Sequence, residues 1–207
     1  MQDLGKTYIF RMTHIENIPH ILEHGITHIS SPQRNSNYVS IGDSSIISSR
    51  NNHALHNGKG LGEYIPFYFG VRMPMLFVIQ KGFNNVNVTP AEKIVYCISS
   101  VKRIVDLKIN FIFTDGHAVD NLSTYYNPQD VDDIDNIIDF KAVRSKYWKD
   151  DKDLDLKRRK EAEFLIADDI PISAILGYVV YNQVAKQSLL KLGVKDGNVH
   201  LNPEFYF

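Results

Sequence analysis

Residues 157–166 read KRRKEAEFLI: four consecutive cations, two carboxylates and then an apolar run that predicts a β-strand. Cations attract phosphates, and a carboxylate beside them can stabilise positive charge that develops on a substrate. One interpretation is therefore a catalytic glutamate that acts on a phosphate-bearing or nucleic-acid substrate. The other is the solvated end of an amphipathic helix, with Glu163 merely exposed, and these ten residues alone favour it. The rest of the chain has to decide between the two.

The composition is that of a folded globular protein. The chain has 207 residues, of which 43% are hydrophobic and 23% charged, and we expect a single domain over residues 1–207. Cys97 is the single cysteine, which excludes an intrachain disulfide. No Cys/His cluster indicates a metal site, and no apolar run reaches membrane-spanning length. We therefore expect a soluble cytoplasmic protein without a metal.

The charges are unevenly distributed along a nearly neutral chain. The formal net charge is −1, from 23 Lys and Arg against 24 Asp and Glu. Residues 128–140 carry acidic side chains, whereas cations dominate residues 141–160. A local basic face of this kind can bind a polyanion even when the protein as a whole is neutral.

The hydrophobic pattern predicts an α+β fold. It indicates strands at 8–12, 64–69, 75–80, 93–99, 111–114, 163–167 and 175–181. It also indicates a short helix capped by Asn17 and ended by Gly25, and further helices at 100–106 and 183–192. Strands and helices do not alternate strictly, which argues against a doubly wound parallel sheet.

Residues 30–62 form a long polar stretch with few large apolar side chains. Such a stretch is uncommon inside a compact domain unless it has a function, and a disordered loop is the alternative. Arg50 lies within it and, considered in isolation, would be solvated. The glycines at 58, 60 and 62 do not fit the dinucleotide-binding pattern, because a strand rather than a helix follows them, so we expect a turn.

Two predicted strand ends carry polar side chains suited to a site. Asp115 and His117 follow the strand at 111–114, and His117 either belongs to a site or braces a loop. Arg11 and Thr13 lie on the same side of the first strand, where an arginine can hold a phosphate or a carboxylate. A surface salt bridge is the alternative for Arg11. No serine elbow accompanies these groups, so a hydrolytic triad is not indicated.

Five segments of the chain resemble, in order, blocks of the DarT family of bacterial DNA ADP-ribosyltransferase toxins. They are FRMTHIENI at 10–18, EYIPFYF at 63–69, FIFTDGHA at 111–118, AEFL at 162–165 and the ending VHLNPEFYF at 199–207. The resemblance implies an ADP-ribosyltransferase fold with split central β-sheets and flanking helices. It also implies NAD+ as co-substrate, a base in single-stranded DNA as acceptor, most often thymidine, and a macrodomain antitoxin that removes ADP-ribose.

The matching positions carry the family's site residues onto this chain. The resemblance implies that Glu163 is the catalytic glutamate and Arg50 the catalytic arginine. The residues implied to bind NAD+ are Arg11, Met12, Thr13, His20, His28 and Arg50. Residues 33–51 match an element that covers NAD+, and residues 117–163 match the loop that recognises the substrate. The side chains that we expect at the DNA are His117, Arg144, Lys146, Tyr147, Trp148, Lys149, Arg158 and Arg159.

Trp148 has two possible roles. It either stacks on a base or anchors the loop in the core. The cations at 157–160 are candidates for steering DNA toward Glu163, the carboxylate implied to be catalytic.

These roles agree with the physical chemistry of the reaction. Breaking the bond to nicotinamide builds positive charge on the ribose, which Glu163 would stabilise most strongly in the transition state. Thymine N3 is a poor nucleophile while it is protonated, and Arg50 would favour its anion. Because an arginine stays protonated, we expect Arg50 to stabilise or relay rather than to abstract the proton.

Three alternatives to thymidine modification remain from the sequence. Guanine could be the modified base, or water could be the acceptor, which would make the protein an NAD+ glycohydrolase. A nucleic-acid-binding module without catalysis is the third, and the presence of both Glu163 and Arg50 argues against it.

Overall fold

The computed structural model describes residues 4–55 and 58–207, and its framework is an eight-stranded sheet. The strands are β1 (Tyr8–His14), β2 (Ile65–Tyr68), β3 (Ile94–Ser100), β4 (Phe111–Thr114), β5 (Tyr125–Tyr126), β6 (Glu163–Ile166), β7 (Gly177–Val180) and β8 (Val199–Leu201). The helices are α1 (Ile18–His24), α2 (Ser44–Asn52), α3 (Pro74–Lys81), α4 (Val101–Asp106), α5 (Ile134–Ile137), α6 (Phe140–Arg144), α7 (Leu156–Lys160) and α8 (Gln183–Lys191). The strand order is β5-β4-β6-β2-β1-β3-β7-β8, antiparallel except for β7 and β8. The α+β prediction is confirmed.

The sheet splits in its middle, between β1 and β2. Strand β1 pairs with β3 along its whole length, but it pairs with β2 only through Phe10 and Tyr68. Pro66 lies in β2 at the split, where its lack of an N–H is tolerated because no partner strand needs that donor. Its carbonyl oxygen instead accepts a hydrogen bond from Arg11 Nη1 at 2.9 Å. A cleft therefore opens between the two halves of the sheet.

Both faces of the sheet are covered by apolar packing. On one face Phe67, Cys97 and Phe164 are buried together with the apolar sides of α1, α4 and α8. On the other face Tyr96 and Tyr206 pack with α3 and the C-terminal segment. Cys97 is fully buried in the first cluster, where a thiol packs as a small apolar group. The first of these clusters therefore joins the two halves of the split sheet on one face.

The prediction of a strand at residues 75–80 is wrong, because these residues belong to α3. Pro74 occupies the first turn of this helix, a position that proline favours, and Gly82 ends it in the left-handed conformation with φ 73°. A short apolar run does not distinguish a buried helix from a strand by its periodicity alone. None of the helices in the described part of the chain is long and apolar enough to cross a membrane.

The polar stretch at residues 30–62 is folded in its described part, so the disordered-loop alternative is wrong there. It contains α2, whose first turn is capped by Asp43 through a 2.9 Å hydrogen bond from Ser45 N. A Cβ atom at Gly62 would lie only 2.1 Å from Asn51 Oδ1, so α2 packs closely on the turn before β2. Residues 56 and 57 of this stretch lie outside the described residues.

The cap predicted at Asn17 has a different role. Its side chain makes no capping hydrogen bond to α1. The Asn17 amide instead donates to Val39 O at 2.9 Å and accepts from Val39 N at 2.8 Å. Asn17 therefore ties the segment before α2 to the end of β1.

Gly25 is required where α1 ends. Its φ is +79°, and an added Cβ would lie 2.0 Å from Ile170 O. We expect Gly25→Ala to lower the free energy of unfolding by about 2–3 kcal/mol, because left-handed strain adds to the displaced backbone. Gly197→Ala is the matched control, since a Cβ there meets nothing within 4 Å. Equal urea midpoints for the two variants would contradict this account.

Candidate active site

Glu163 lies at the start of β6 and is fully buried. Its Oε2 accepts a hydrogen bond from Arg50 Nη1 at 2.8 Å, and its Oε1 accepts one from Ala118 N at 2.8 Å. Strand pairing places it directly opposite Tyr68 of β2. Each carboxylate oxygen thus has one donor and keeps room for a further one. The alternative that Glu163 is an exposed residue at a helix end is wrong.

Arg50 reaches Glu163 from α2, which is 113 residues away along the chain. Burial opposes its charge most strongly, but the charge and hydrogen bond of Glu163, together with Tyr68 and Tyr125, outweigh this effect and raise the pKa of Arg50 above its ordinary value. Its second terminal nitrogen, Nη2, is buried and has no hydrogen-bond partner among the described residues. A buried unsatisfied donor costs about 1–3 kcal/mol. This donor is suited to an acceptor group on a ligand.

The turn after β4 shapes the wall around Glu163. The Thr114 hydroxyl donates to Gly116 O at 2.6 Å and accepts from Glu163 N at 3.2 Å. His117 Nε2 lies 4.0 Å from Glu163 Oε1. Burial lowers the pKa of His117, although Glu163 opposes this shift, so the imidazole is neutral at pH 7. His117 therefore belongs to the site as a neutral group that can exchange hydrogen bonds.

Two tyrosines that the sequence did not indicate complete this wall. Tyr68 faces the same side of the sheet as Glu163, and burial together with the charges of Glu163 and Glu161 raises the pKa of its phenol. Burial and Glu163 raise the pKa of Tyr125 to about 12. The Tyr125 hydroxyl donates to Ala118 O and lies 3.3 Å from His53 Nε2. Both phenols are neutral hydrogen-bond donors at physiological pH.

The predicted NAD+-binding residues of β1 lie along the split. Arg11 spans the cleft through its bond to Pro66 O. Thr13 is buried, and its hydroxyl accepts a hydrogen bond from Asn17 Nδ2 at 3.0 Å. Met12 points to the other face, where it packs against the cluster around Tyr96. Arg11 thus lies at the split with Thr13 buried two residues further along β1, whereas the Met12 side chain lies on the opposite face of the strand.

The two predicted histidines occupy different surroundings. His28 Nε2 lies 2.8 Å from Gly62 O, and its backbone N–H donates to Asp169 Oδ1 at 2.8 Å. Because Gly62 contacts the end of α2, His28 is close to the Arg50 side of the cleft. His20 Nε2 lies 3.0 Å from Thr27 Oγ1, in partly buried surroundings beside His24. The structure brings His28, but not His20, next to α2.

The cations at 158–160 hold the segment at residues 115–160 together. The side chain of Arg158 is paired with Asp115 and Asp155. Arg159 is paired with Asp139, Asp153 and Asp155. Lys160 is fully buried and donates to Val143 O at 3.1 Å and to Ser145 O at 2.7 Å. The prediction that Lys160 steers DNA is therefore wrong, and the guanidinium groups of Arg158 and Arg159 are engaged by carboxylates of the protein itself.

The remaining predicted DNA contacts lie on the outer part of this loop. Arg144 is exposed, with its guanidinium 5.4 Å from the centre of the Phe140 ring. Tyr147 is 67% exposed, so its ring is open to a partner. Trp148 packs edge-on against Phe77 and Phe207, with ring centres 5.5 and 5.6 Å apart. The structure thus uses Trp148 as a loop anchor.

Glu161 adds a second buried carboxyl beside the site. It is 6% exposed, and burial, with Glu163 adding to the effect, raises its pKa to about 7. Because the unfolded chain ionises near the usual value of 4.5, the stabilising contribution of the neutral carboxyl is complete below pH 4.5 and is lost as the pH rises through 7.

This shift predicts a pH-dependent difference between the wild type and Glu161→Gln. We expect the variant to gain stability relative to the wild type between pH 5 and pH 8, by up to about 3 kcal/mol, since one pKa unit corresponds to about 1.4 kcal/mol. Urea unfolding of both proteins at several pH values measures this difference in stability. Parallel curves for the two proteins would show that Glu161 ionises normally.

No group of three or more His, Cys, Asp or Glu side chains within residues 4–55 and 58–207 is arranged to hold a metal ion. The described site consists instead of one carboxylate, one guanidinium, one imidazole and two phenols around the open split of the sheet. A carboxylate held in this way can stabilise a cation, and the neighbouring donors can bind an anion.

Comparisons with known proteins agree with this geometry. A model of the DarT family, described as ssDNA thymidine ADP-ribosyltransferase, matches residues 10–207. A DNA ADP-ribosyl transferase of Escherichia coli is 33% identical to the chain, over 89% of the chain and 84% of that protein. A DNA ADP-ribosyl transferase–DNA ADP-ribosyl glycohydrolase fusion protein of Thermosipho africanus is 30% identical, over 96% of the chain and 49% of the fusion.

A solved relative has a similar fold. Thermus sp. 2.9 DarT in complex with ADP-ribosylated ssDNA gives a TM-score of 0.83 at 27% identity, over 97% of this chain and 96% of that chain. The same protein in complex with NAD+ gives a TM-score of 0.79 at 27% identity, over 97% and 98% of the two chains. The similarity in fold extends over both halves of the split sheet.

Proposed function

The chain belongs to the DarT family of ssDNA thymidine ADP-ribosyltransferases, and we propose that it transfers ADP-ribose from NAD+ to thymine in single-stranded DNA and releases nicotinamide. It is an NAD+-dependent ADP-ribosyltransferase. The observation that carries the proposal is the buried pair of Glu163 and Arg50 beside the split of the sheet, with one Arg50 donor unsatisfied.

The residues of the cleft fit NAD+. Arg11 and Arg50 supply donors along it, and the unsatisfied Arg50 Nη2 has the chemistry to pair with a ligand oxygen. When bound, NAD+ supplies the ADP-ribose group together with nicotinamide as a good leaving group. Arg11 and Thr13 on β1 would hold its nicotinamide end, and His28 and α2 would cover it.

We assign Glu163 the task of stabilising positive charge on the ribose. Its two oxygens are fixed by Arg50 Nη1 and Ala118 N, so the carboxylate does not have to reorganise during the reaction. The remaining acceptor positions can receive hydroxyl groups of the ribose. Burial strengthens this interaction, because the local dielectric constant is lower than that of water.

Arg50 and the neutral groups around it prepare the acceptor. The guanidinium stays protonated and favours the anion of thymine N3, which is the nucleophilic form. The phenol of Tyr68 and the neutral His117 would bind the carbonyl groups of the base, and Tyr125, whose hydroxyl donates to Ala118 O, would help to exclude water. A single-stranded acceptor avoids the cost of flipping a base out of a duplex, about a few kcal/mol.

A randomised single-stranded oligonucleotide pool tests the choice of base. After incubation with NAD+, fragmentation mass spectrometry is expected to locate ADP-ribose on thymine, in one recurring sequence context. ADP-ribose found on guanine would instead show that guanine is the modified base. A pool synthesised without thymine is the matched control and should remain unmodified.

We further propose that the protein is the toxin of a toxin–antitoxin pair in the cytoplasm, where NAD+ and DNA are both present. The supporting observation is the Thermosipho africanus relative, whose name joins a DNA ADP-ribosyl transferase to a DNA ADP-ribosyl glycohydrolase. A macrodomain that removes ADP-ribose from DNA would then be the antitoxin. Induced expression should stop bacterial growth, and co-expression of such a glycohydrolase should restore it. Unimpaired growth, with DNA that carries ADP-ribose, would contradict the toxin role.

A further inference from the structure

We propose that Asp169 is a positioning residue for NAD+ binding, because it fixes the start of the covering segment, residues 33–51, which the proposed function places over the co-substrate. The inference rests on that function and adds to it a residue that acts through its neighbours. Asp169 follows β6, and each oxygen of its carboxylate accepts a hydrogen bond. His28 N donates to Oδ1 at 2.8 Å, and Ser31 Oγ donates to Oδ2 at 2.5 Å. Both donors belong to the turn that leads into the covering segment.

This turn, residues 26–33, is held against the chain after β6 by a short network. Ile26 and Ile170 form an antiparallel bridge, in which each backbone N–H donates to the carbonyl oxygen of the other at 2.9 Å. The Ser31 hydroxyl is buried and also accepts a hydrogen bond from Gln33 N at 3.0 Å. Asp169 therefore fixes Ser31, and Ser31 fixes the direction in which the chain enters the covering segment.

The covering segment has separate anchors along its length. Near its end Arg50 donates to Glu163 at 2.8 Å, and in its middle Val39 is bound by the Asn17 side chain. Its start depends on Asp169, which lies on the continuation of the strand that carries Glu163. Loss of the Asp169 anchor would release the start of the segment and leave the pair of Arg50 and Glu163 in place. We therefore expect a loss in NAD+ affinity rather than in the chemical step.

The ring of His28 extends the same anchor to the end of α2. Its Nε2 lies 2.8 Å from Gly62 O, which can only accept, so this nitrogen carries the ring proton. Its Nδ1 accepts from Ser30 N at 3.2 Å, so both ring nitrogens are engaged within the protein. Gly62 in turn packs against Asn51, the last residue but one of α2. By binding the His28 backbone, Asp169 also holds this ring in position.

Calorimetric titration of NAD+ into the protein without DNA tests the inference. We expect Asp169→Ala to weaken NAD+ binding about tenfold, which corresponds to about 1.4 kcal/mol, the size of one or two net hydrogen bonds. The rate of DNA modification at saturating NAD+ should stay within about twofold of the wild-type rate, as expected when a change affects binding and not the transition state alone.

Asp168→Ala is the matched control. Asp168 immediately precedes Asp169, and its Oδ2 also accepts two hydrogen bonds, from Asn110 N at 3.1 Å and from Asn110 Nδ2 at 2.8 Å. It therefore ties the end of β6 to the start of β4 and not to the covering segment. The substitution removes the same charge and the same number of hydrogen bonds, but NAD+ affinity should remain that of the wild type. A merely structural role for Asp169 would make the two variants alike.

Two milder variants keep the inference testable if Asp169→Ala does not fold. In Asp169→Asn the amide oxygen can accept from His28 N and the amide nitrogen can donate to Ser31 Oγ, because a hydroxyl oxygen accepts more than one hydrogen bond. This variant should bind NAD+ within about twofold of the wild type. Ser31→Ala removes one of the two bonds and should weaken binding about threefold. Combined with Asp169→Ala, it should cause no further loss, since both substitutions break the same contact.

The inference is overturned if folded Asp169→Ala binds NAD+ as tightly as Asp168→Ala. It is also overturned if Asp169→Ala slows the reaction at saturating NAD+ while NAD+ affinity is unchanged. If Asp169→Ala does not fold, wild-type NAD+ affinity in Ser31→Ala overturns it. Failure of the proposed function shows differently, as the absence of ADP-ribosylated DNA with the wild-type protein, whereas the role of Asp169 in binding is judged by NAD+ affinity without DNA.

Discussion

Glu163→Gln is expected to reduce DNA ADP-ribosylation by about 10²–10³-fold or more, the size of the loss when one preorganised electrostatic group is removed from an active site. The substitution keeps the shape of the side chain but removes the charge that stabilises the ribose. DNA affinity should change little, because Glu163 is fully buried and is assigned to the ribose rather than to the DNA. Single-turnover rates with saturating NAD+ and oligonucleotide measure the effect.

The interpretation of this variant depends on two controls. The new amide group must face either Arg50 or Ala118 N, both of which are donors, so we expect a loss of about 1–3 kcal/mol in stability. Thermal unfolding therefore has to show that the variant is folded at the assay temperature. Glu161→Gln makes the same substitution two residues earlier and should retain most of the activity. A folded Glu163→Gln protein with wild-type rates would disprove the catalytic assignment.

Two substitutions of Arg50 are expected to separate its contribution to stability from its contribution to catalysis. Arg50→Ala leaves the buried carboxylate of Glu163 without its counter-charge, which should lower the free energy of unfolding by about 3–5 kcal/mol. Arg50→Lys retains a positive charge and should keep most of the stability. It lacks the second terminal nitrogen, so the rate should still fall about 10²-fold.

Urea unfolding and the dependence of the rate on oligonucleotide concentration distinguish these effects. For Arg50→Lys we expect the loss in kcat rather than in KM, because Arg50 is assigned to the anionic form of the acceptor. A lysine variant as fast as the wild type would show that charge alone is enough. An alanine variant as stable as the wild type would show that the pair with Glu163 is not maintained in solution.

Strands with a strong local pattern could be predicted from the sequence, and elements that depend on tertiary packing could not. Residues 111–114 and 163–166 combine β-branched, aromatic and aliphatic side chains in short runs, and both are strands. Residues 75–80 have similar apolar character but form α3, because Pro74 and Gly82 provide a helix start and end. Helix α2 carries almost no apolar side and is held by contacts such as that of Gly62 with Asn51, which no local pattern shows.

The candidate site was predictable to a similar extent. Glu163 stands in a recognisable sequence context, whereas Arg50 looks like a solvated side chain until α2 brings it to β6. Tyr68 and Tyr125 were missed, because their role follows from strand register and from a loop closure rather than from neighbouring residues. The cations at 158–160 form a conspicuous charged run, but Asp115, Asp139 and the carbonyl groups that bind them are distant in sequence.

The central claim is that nicotinamide release and DNA modification are one reaction, and their stoichiometry tests it most directly. The wild-type protein is incubated with NAD+ and a single-stranded oligonucleotide that contains one thymine. Released nicotinamide and ADP-ribosylated oligonucleotide are then measured by mass spectrometry. The account predicts equal amounts of the two products, with little release when DNA is omitted. Nicotinamide release at the same rate with and without DNA, and an oligonucleotide of unchanged mass, would contradict it and identify water as the acceptor.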